Sequence, residues 1–231
     1  MQEKNLRQNE WNNSYMGGGN ILFYPHEEII RFINKYVRKR IGYNSFENVM
    51  KLSDKDWRDF KSLDLGCGCG RHVKFLNEFG LNPYGIDLSD TTISLGKEWF
   101  MHIGEHDLVE KLIVGNVENL PFENNFFNIC VSHGVLDSMP RDIAQNGLKE
   151  SLRCLKKDGM MYFDLIMSSS DKDEIQTTGL EKDTVQSYFT VESIKKFIST
   201  AAKIIDFKII NWADSNEHII NKRAHIIIKK L

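Results

Sequence analysis

The sequence lacks the features typical of membrane, secreted and nucleic-acid-binding proteins. No apolar run approaches the ~20 residues that a membrane-spanning helix needs, and the amino-terminal residues are too polar for a signal peptide. The formal net charge is only −2, without the basic excess that is typical of nucleic-acid binders. We therefore expect a cytoplasmic protein that contacts neither nucleic acid nor a membrane.

Metal-binding and phosphate-binding patterns are missing as well. The chain has only four cysteines, and Cys67 and Cys69 stand too close together for the usual zinc spacing. We expect these two cysteines, together with Cys130 and Cys154, to be reduced residues of the core or of loops. We expect no metal site. The chain has no G-x-x-x-x-G-K-[ST] loop, and Arg71 stands where a dinucleotide-binding G-x-G-x-x-G motif requires its last glycine.

An apolar strand that runs directly into alternating glycines is the most informative feature present. The glycines are Gly66, Gly68 and Gly70, and the next apolar segment ends at Asp87. Glycine adopts backbone angles that side chains forbid, so such a turn can approach a ligand closely. A carboxylate at the end of the neighbouring strand can accept hydrogen bonds from both hydroxyls of a ribose. The pattern predicts a nucleoside-binding crevice at the carboxyl ends of two parallel strands.

The order of the predicted elements indicates an α/β fold. A chain of 231 residues suffices for one domain with a full core. Strands that alternate with helices favour a mainly parallel sheet with right-handed crossovers. We predict strands at 62–66, 82–87, 110–115, 126–132, 159–166, 204–212 and 223–230, and helices at 25–37, 54–60, 71–79, 89–104, 141–156 and 193–202. The polar stretch 168–187 is predicted to be a loop.

Five motifs resemble those of the class I S-adenosylmethionine-dependent methyltransferases, of the small-molecule type. In chain order they are Asp64–Gly70 (D-L-G-C-G-C-G), Gly85–Ser89, Gly115–Phe122, Phe126–His133 and Leu155–Phe163. The resemblance covers roughly residues 60 to 168. It implies a Rossmann-like, doubly wound, seven-stranded sheet with an antiparallel last strand, to which we add an N-terminal helical cap. We expect a lid and cap at 1–60 and a cofactor-binding core at 61–231, within a single domain.

The resemblance also implies that S-adenosylmethionine is the cofactor and suggests which residues hold it. The glycine turn lies beside the methionine half in this family, with Asp64 near its ammonium, and Asp87 takes the ribose hydroxyls. Asn116 replaces the usual aspartate at the adenine, where its carbonyl oxygen can still accept a hydrogen bond. The expected cofactor contacts are Tyr15, Asp64, Gly66, Cys67, Gly68, Gly70, Asp87, Leu88, Asn116, Val117, Ser132 and His133.

The candidates for acid–base chemistry follow the fourth strand of the core. His133 is a candidate base or cofactor contact, although a hydrogen-bonded loop histidine is an equally ordinary interpretation. Asp137 is the second candidate; it stands where relatives often carry histidine, and a capping or solvated acid is its alternative interpretation. Tyr15 opens a glycine-rich run that can fold over the cofactor or remain a mobile terminus. Arg71 can pair with a carboxylate of cofactor or acceptor, or form a surface ion pair.

These observations favour methyl transfer to an oxygen or nitrogen of a small-molecule acceptor, by a monomer or homodimer. The first alternative is a degenerate methyltransferase fold that acts as a cofactor-binding or partner-binding module. Asn116 and Asp137, which depart from the family pattern, keep that alternative open, whereas the intact glycines and Asp87 argue against it. The second alternative is aminopropyl transfer on the same fold, which requires more acidic residues around the acceptor than Asp137 and Asp142 supply.

Overall fold

A computed structural model describes residues 2–18, 20–52, 57–175, 183–198, 200–215 and 219–231. The helices are α1 (Gln2–Met16), α2 (Glu27–Phe32, continued by a π-helical turn at Ile33–Val37), α3 (Arg71–Glu78), α4 (Asp90–His102), α5 (His106–Val109), α6 (Arg141–Cys154) and α7 (Val191–Phe197). The strands are β1 (Arg38–Arg40), β2 (Phe46–Asn48), β3 (Ser62–Leu65), β4 (Pro83–Asp87), β5 (Leu112–Val114), β6 (Phe127–Val131), β7 (Leu155–Ile166), β8 (Lys172–Ile175), β9 (Val185–Tyr188), β10 (Ala202–Ala213) and β11 (Ile219–Lys230).

Seven strands form the central sheet in the order β10-β11-β7-β6-β3-β4-β5. Strands β3 to β7 are parallel, and β11 is antiparallel to both of its neighbours. This confirms the predicted doubly wound sheet with an antiparallel last strand. The order of strand addition reverses at β3: the chain adds β4 and β5 on one side of β3 and then β6 and β7 on the other. A crevice opens at such a switch point, outside the carboxyl ends of the strands, so the sheet topology places the glycine turn at its edge.

The core lies on both faces of this sheet. Every residue of β3 and of β6 is buried, as expected for central parallel strands that are covered by helices on both sides. On one face Cys130 and Leu63 pack with Leu148 of α6. On the other face Ile129 packs with Phe32 of α2. The amphipathic helices therefore fix the sheet from both sides and hold the ends of β3, β4 and β6 in register.

The structure differs from the sequence-based expectations in several places, among them the hairpin of β1 and β2 and the short helix α5, which were not predicted. The polar amino-terminal stretch forms α1, a helix without an apolar stripe, whose placement comes from contacts with α4. The expected loop 168–187 contains the hairpin of β8 and β9, and residues 176–182 lie outside the described part. The last helix ends at Phe197 rather than 202. The helix predicted at 54–60 begins outside the described residues, and Trp57–Asp59 form a single 3-10 turn.

None of the helices in the described part of the chain combines the length and the apolar character that a membrane span requires. All four cysteines are buried and unpaired in the same part of the chain.

Candidate functional site

The glycine turn after β3 is held tightly against β4. The backbone N–H groups of Gly66 and Cys67 both donate to the carbonyl oxygen of Ile86, at 2.8 and 3.0 Å. Gly66 has a φ of +69°, and a Cβ atom there would lie 2.3 Å from the side chain of Val135. Gly68 has a φ of +54°, and its Cβ position lies 3.3 Å from the hydroxyl of Tyr15. Both the backbone conformation and the close approach therefore require glycine at position 66, and the backbone conformation favours it at position 68.

Asp87 ends β4 with its carboxylate fixed by two backbone amides. Oδ2 accepts from the N–H of Gly68 and Oδ1 from the N–H of Ser89, both at 2.9 Å. Burial raises the pKa of Asp87 to about 6, against the opposing effect of these two hydrogen bonds. A carboxylate oxygen has two lone pairs, so each one can still accept a further hydrogen bond. The arrangement can hold two neighbouring hydroxyl groups.

A cavity of about 240 Å³ lies between the glycine turn, Asp87 and α1. Of the twelve residues expected at the cofactor, nine line it: Tyr15, Gly66, Cys67, Gly68, Asp87, Leu88, Asn116, Val117 and His133. Five segments of the chain thus meet at one cavity, which is consistent with the order of the motifs along the sheet.

Three of the twelve residues lie behind the cavity wall. Asp64 is fully buried, with Oδ1 at 3.4 Å from Nδ1 of His72, which does line the cavity. Its Oδ2 and the Oγ of Ser132 are buried and have no hydrogen-bond partner among the described residues. Gly70 precedes α3 and packs against Phe100. Asp64 therefore faces the cavity through His72 rather than directly.

Helix α1 forms one wall of the cavity and is tied to the end of β4. The Oγ of Ser89 donates to Oδ1 of Asn12 at 2.6 Å, and Nδ2 of Asn12 donates to Asp90 at 2.8 Å. Trp11 and Tyr15 of the same helix line the cavity. Burial and the nearby Asp87 raise the pKa of Tyr15 well above its ordinary value, so the phenol stays neutral.

Asn116 adopts the geometry of a turn residue at the cavity rim. Its carbonyl oxygen accepts from the N–H of Glu118 at 3.0 Å, and its amide donates to the Glu118 carboxylate at 3.3 Å. Glu118 in turn forms an ion pair with Arg7 of α1 at 3.5 Å. The side chain therefore already has partners at both ends, and it retains one lone pair on the oxygen for a ligand.

A buried network of charges surrounds His133 at the other end of the cavity. Nδ1 of His133 lies 2.9 Å from Oδ2 of Asp164, and Oδ1 of Asp164 accepts from the N–H of Gly134 at 2.8 Å. Arg223 approaches Asp164 at 2.6 Å and Asp137 at 3.0 Å. Burial alone would raise the pKa of Asp164, but His133 and Arg223 outweigh it and hold that pKa well below its ordinary value.

Asp137 does not line the cavity, contrary to the expectation that it faces the acceptor. It is fully buried, and its Oδ2 accepts from the N–H of Ile166 at 2.7 Å beside Arg223. Burial raises the pKa of Asp137 to about 6, although Arg223 opposes the shift. The hydrogen bond and the ion pair anchor the loop after β6 to the end of β7.

Three further histidines, all from segments distant in sequence, lie near His133. The ring of His26 stacks on that of His133 with centroids 3.7 Å apart, and the rings of His72 and His225 lie at 6.3 Å from His133 and 5.9 Å from His26, respectively. Burial and the neighbouring His133 lower the pKa of His26 to about 3. No group of three or more ligating side chains in the described residues has the geometry of a metal site.

Sequence reasoning missed four members of this network: His26, Asp164, Arg223 and His225. The one available signal was Asp164, a single acid inside the apolar run of β7, because a charge in a buried strand requires a partner. His26 is the N-cap of α2 and Arg223 is part of β11, and neither is close in sequence to the glycine turn.

Comparison with known sequences shows what the core resembles. The sequence profile of a family described as "Methyltransferase domain" matches residues 63–163. A sterol 4-C-methyltransferase of Caenorhabditis elegans is 24% identical over 186 residues, which cover 77% of this chain and 48% of the relative. A malonyl-[acyl-carrier protein] O-methyltransferase of Pectobacterium atrosepticum is 28% identical over 111 residues, 47% of this chain and 39% of the relative. The chain spans about half the length, or less, of the curated relatives it matches.

Solved structures share the fold at low sequence identity. An S-adenosylmethionine-dependent methyltransferase of Methanosarcina mazei has a TM-score of 0.60 and 20% identity, covering 75% of this chain and 93% of that one. The [4+2]-cyclase SpnF has a TM-score of 0.63 and 13% identity, covering 99% of this chain and 94% of that one. At these sequence identities the similarity concerns the fold alone. The chemistry of this chain must be argued from the residues of its own site.

Proposed function

Because the chain belongs to the class I S-adenosylmethionine-dependent methyltransferase superfamily, we propose that it transfers a methyl group from S-adenosylmethionine to an oxygen or nitrogen of a small-molecule acceptor. The single observation that supports this most strongly is the cavity between the glycine turn and the amide-fixed carboxylate of Asp87. It offers close backbone approach and a pair of acceptors for a ribose at the same edge of the sheet.

The residues present fit this cofactor. Asp87 would hold the ribose hydroxyls, Leu88 and Val117 would line the adenine, and the turn at Gly66 and Gly68 would contact the methionine half. The unpartnered Oδ2 of the buried Asp64 lies behind the cavity wall and is an acceptor suited to the ammonium through a bridging water. When bound, the cofactor supplies a methyl group on a positively charged sulfur, and its transfer to a nucleophilic atom leaves a neutral thioether.

We assign the acceptor to the part of the cavity beyond His133. Its wall is apolar and is built by Val135, Met139, Pro140, Ile143 and Val185. Such a wall suits a small organic acceptor whose position is set by shape and by few polar contacts. In this proposal the chain aligns the acceptor, which can supply roughly 7–11 kcal/mol of the barrier in favourable cases. His133 is the proposed base. We propose that Asp137 acts indirectly, through its ion pair with Arg223, which also contacts Asp164 beside His133.

Two arginines line this cavity, and Arg7 is paired with Glu118, so Arg71 is the one we consider for a ligand. Within the described residues its guanidinium makes one hydrogen bond, to the carbonyl oxygen of Tyr24 at 3.3 Å. Burial lowers the pKa of Arg71, which remains far above neutrality in any ordinary environment. We propose that its guanidinium binds a carboxylate of the cofactor or of the acceptor.

The amino-terminal residues 1–60 are proposed to act as the lid and cap over the core at 61–231. Helix α1 contributes Trp11 and Tyr15 to the cavity wall and is tied to Ser89 and Asp90 through Asn12. These few polar contacts can open and close more readily than an apolar interface, and a closed lid excludes water from the reaction.

The alternative function is that of a cofactor-binding module without turnover. The observation that favours it is Asn116, whose carbonyl oxygen is already engaged by the N–H of Glu118. A module of this kind would bind S-adenosylmethionine and S-adenosylhomocysteine with the same residues. Incubation with S-adenosylmethionine and a panel of small acceptors, followed by detection of S-adenosylhomocysteine, separates the two functions.

Calorimetric titration with S-adenosylhomocysteine tests the cavity itself. We expect Asp87→Ala to weaken binding at least tenfold, because a hydrogen bond to a charged group contributes about 1.5–3 kcal/mol. Asp107→Ala, which removes an exposed acid from α5, is the matched control and should bind like the natural chain. Absence of binding to the natural chain, or equal binding by both variants, would contradict the proposal.

A further inference from the structure

We propose that the chain has a second ligand site, which binds a small organic molecule with an apolar body and a single carboxylate. The site is a cavity of about 720 Å³ between α2, the hairpin of β1 and β2, and strands β7, β10 and β11. None of the described residues lines both this second cavity and the cavity at the glycine turn. The second site is therefore separate from the one assigned to S-adenosylmethionine, and its existence does not depend on the proposed function.

The floor of the second cavity is apolar. Phe32, Tyr162, His225 and Ile227 line it, although each of them is more than nine-tenths buried. The hydroxyl of Tyr162 lies 2.8 Å from Nδ1 of His225, so these two polar groups already satisfy each other. Burial also raises the pKa of Tyr162, so the phenol is neutral. The floor therefore offers a ligand apolar contact and no charge.

Two of the three acids that line the second cavity already have cations as partners. Asp206 of β10 lies 3.1 Å from the ammonium of Lys35. Glu28 of α2 lies 2.8 Å from the ammonium of Lys208 and 3.5 Å from the guanidinium of Arg31. These pairs join α2 and the π-helical turn after it to β10. The walls are thereby held together, and their charges are largely compensated.

Arg40 is the cation of the second cavity that has no carboxylate partner among the described residues. The third acid, Glu47, stands opposite Lys39 in the register of β1 and β2, so these two charges can compensate each other. Nε and Nη2 of Arg40 donate to the carbonyl oxygen of Tyr43, a neutral acceptor, at 3.3 and 2.7 Å. A guanidinium has five N–H donors, so three of them remain for a ligand.

The floor and Arg40 together indicate the chemical class of the ligand. An apolar body gains from contact with the buried floor, and one carboxylate matches the planar donors of a single guanidinium. A molecule with two negative charges would exceed the one uncompensated cation, and a neutral molecule would leave Arg40 without a partner. Arg40 is exposed, so water competes for its donors, and we expect a small probe to bind weakly.

Titration with sodium benzoate at constant ionic strength, followed in methyl spectra of protein labelled at isoleucine and valine, tests this site. Val49 and Ile227 line the second cavity, whereas Val117 and Val185 line the cavity at the glycine turn, so one spectrum separates the two. Val49→Ala and Ile227→Val identify the two reporting signals. We expect saturable shifts of Val49 and Ile227 at about millimolar benzoate. Shifts confined to Val117 and Val185, or no saturable shift at all, would overturn the inference.

Two related probes separate the roles of charge and apolar contact without any variant. Benzamide keeps the ring and lacks the charge, and acetate keeps the charge and lacks the ring. We expect each to bind about fivefold more weakly than benzoate, or weaker still. Benzamide binding as tightly as benzoate would show that no anion is recognised, and acetate binding as tightly would show that the floor is not used. Either result contradicts the proposed ligand class.

Arg40→Met tests the residue that is proposed to hold the carboxylate. We expect it to weaken benzoate binding about fivefold or more and to leave benzamide binding unchanged. Lys195→Met is the matched control, because it removes an exposed cation from α7, whose buried residues pack in the core on the opposite face of the sheet. This control should bind benzoate like the natural chain. Undiminished benzoate binding by folded Arg40→Met, or an equal loss in both variants, would overturn the assignment.

Discussion

The two ends of the cavity are built in opposite ways. The nucleoside end consists of the Gly66–Gly70 turn and Asp87, and its key groups are backbone amides and one carboxylate within a short stretch of chain. The histidine end consists of His26, His133, Asp164 and Arg223, which come from four segments far apart in sequence. The comparison teaches that one end depends on local backbone geometry and the other on balanced buried charge, so different substitutions should disable them.

Removal of Arg223, the cation at the histidine end, should cause the largest loss of stability. Arg223→Met leaves Asp164 and Asp137 buried without their shared partner, which is expected to lower the free energy of unfolding by about 3–5 kcal/mol at neutral pH. Denaturant unfolding followed by circular dichroism measures this loss. The nucleoside end makes no contact with Arg223 and should still bind S-adenosylhomocysteine wherever the variant is folded.

The pH dependence of this loss separates charge from packing. In the natural chain the pKa of Asp164 is lowered, so its contribution is present above the unfolded-state pKa of about 3.9 and is lost as pH falls through the folded-state pKa. Without Arg223 the pKa of both carboxyls should rise, although His133 still lowers that of Asp164, so the penalty should shrink as pH falls and they take up protons. Lys229→Met, on the same strand, breaks the exposed pair with Asp158 and should leave stability nearly unchanged. A loss of equal size at low and neutral pH would indicate a packing defect instead.

A methyl group added at Gly66, in the nucleoside end, should cause the next largest loss of stability. Gly66→Ala places a Cβ 2.3 Å from Val135 in a left-handed conformation, which is expected to cost about 2–5 kcal/mol in all. The natural control is Gly104→Ala, which has a similar positive φ of +79° but nothing within 4 Å of its Cβ. We expect that variant to lose only about 1–2 kcal/mol and to bind S-adenosylhomocysteine normally. Equal losses in the two variants would show that the approach of Val135 is unimportant.

The same contrast explains what the sequence predicts and what it misses. The parallel strands are near-continuous apolar runs, and the glycine turn with Asp87 is contiguous, so β3 to β7 and the nucleoside end are legible along the chain. Helix α1 carries no apolar stripe and is held by Asn12, and such tertiary contacts leave no periodic signal. The histidine end requires the register of β11 on β7, which places Arg223 opposite Ile166 and near Asp164. Pairings of that kind depend on the folded sheet and are not encoded in any one segment.

The smallest predicted effect uses pH to distinguish the nucleoside end from the rest of the molecule. Burial raises the pKa of Asp87 to about 6, and only the ionised carboxylate accepts hydrogen bonds at both oxygens. Ligand hydroxyls therefore favour the ionised form, and affinity for S-adenosylhomocysteine should fall by up to about tenfold between pH 7 and about pH 5. Asp87→Asn cannot titrate, so its weaker binding should be flat over the same range. An equal fall in affinity in both proteins would show that the titrating group is not Asp87. The histidines of the opposite end would then be the groups to substitute next.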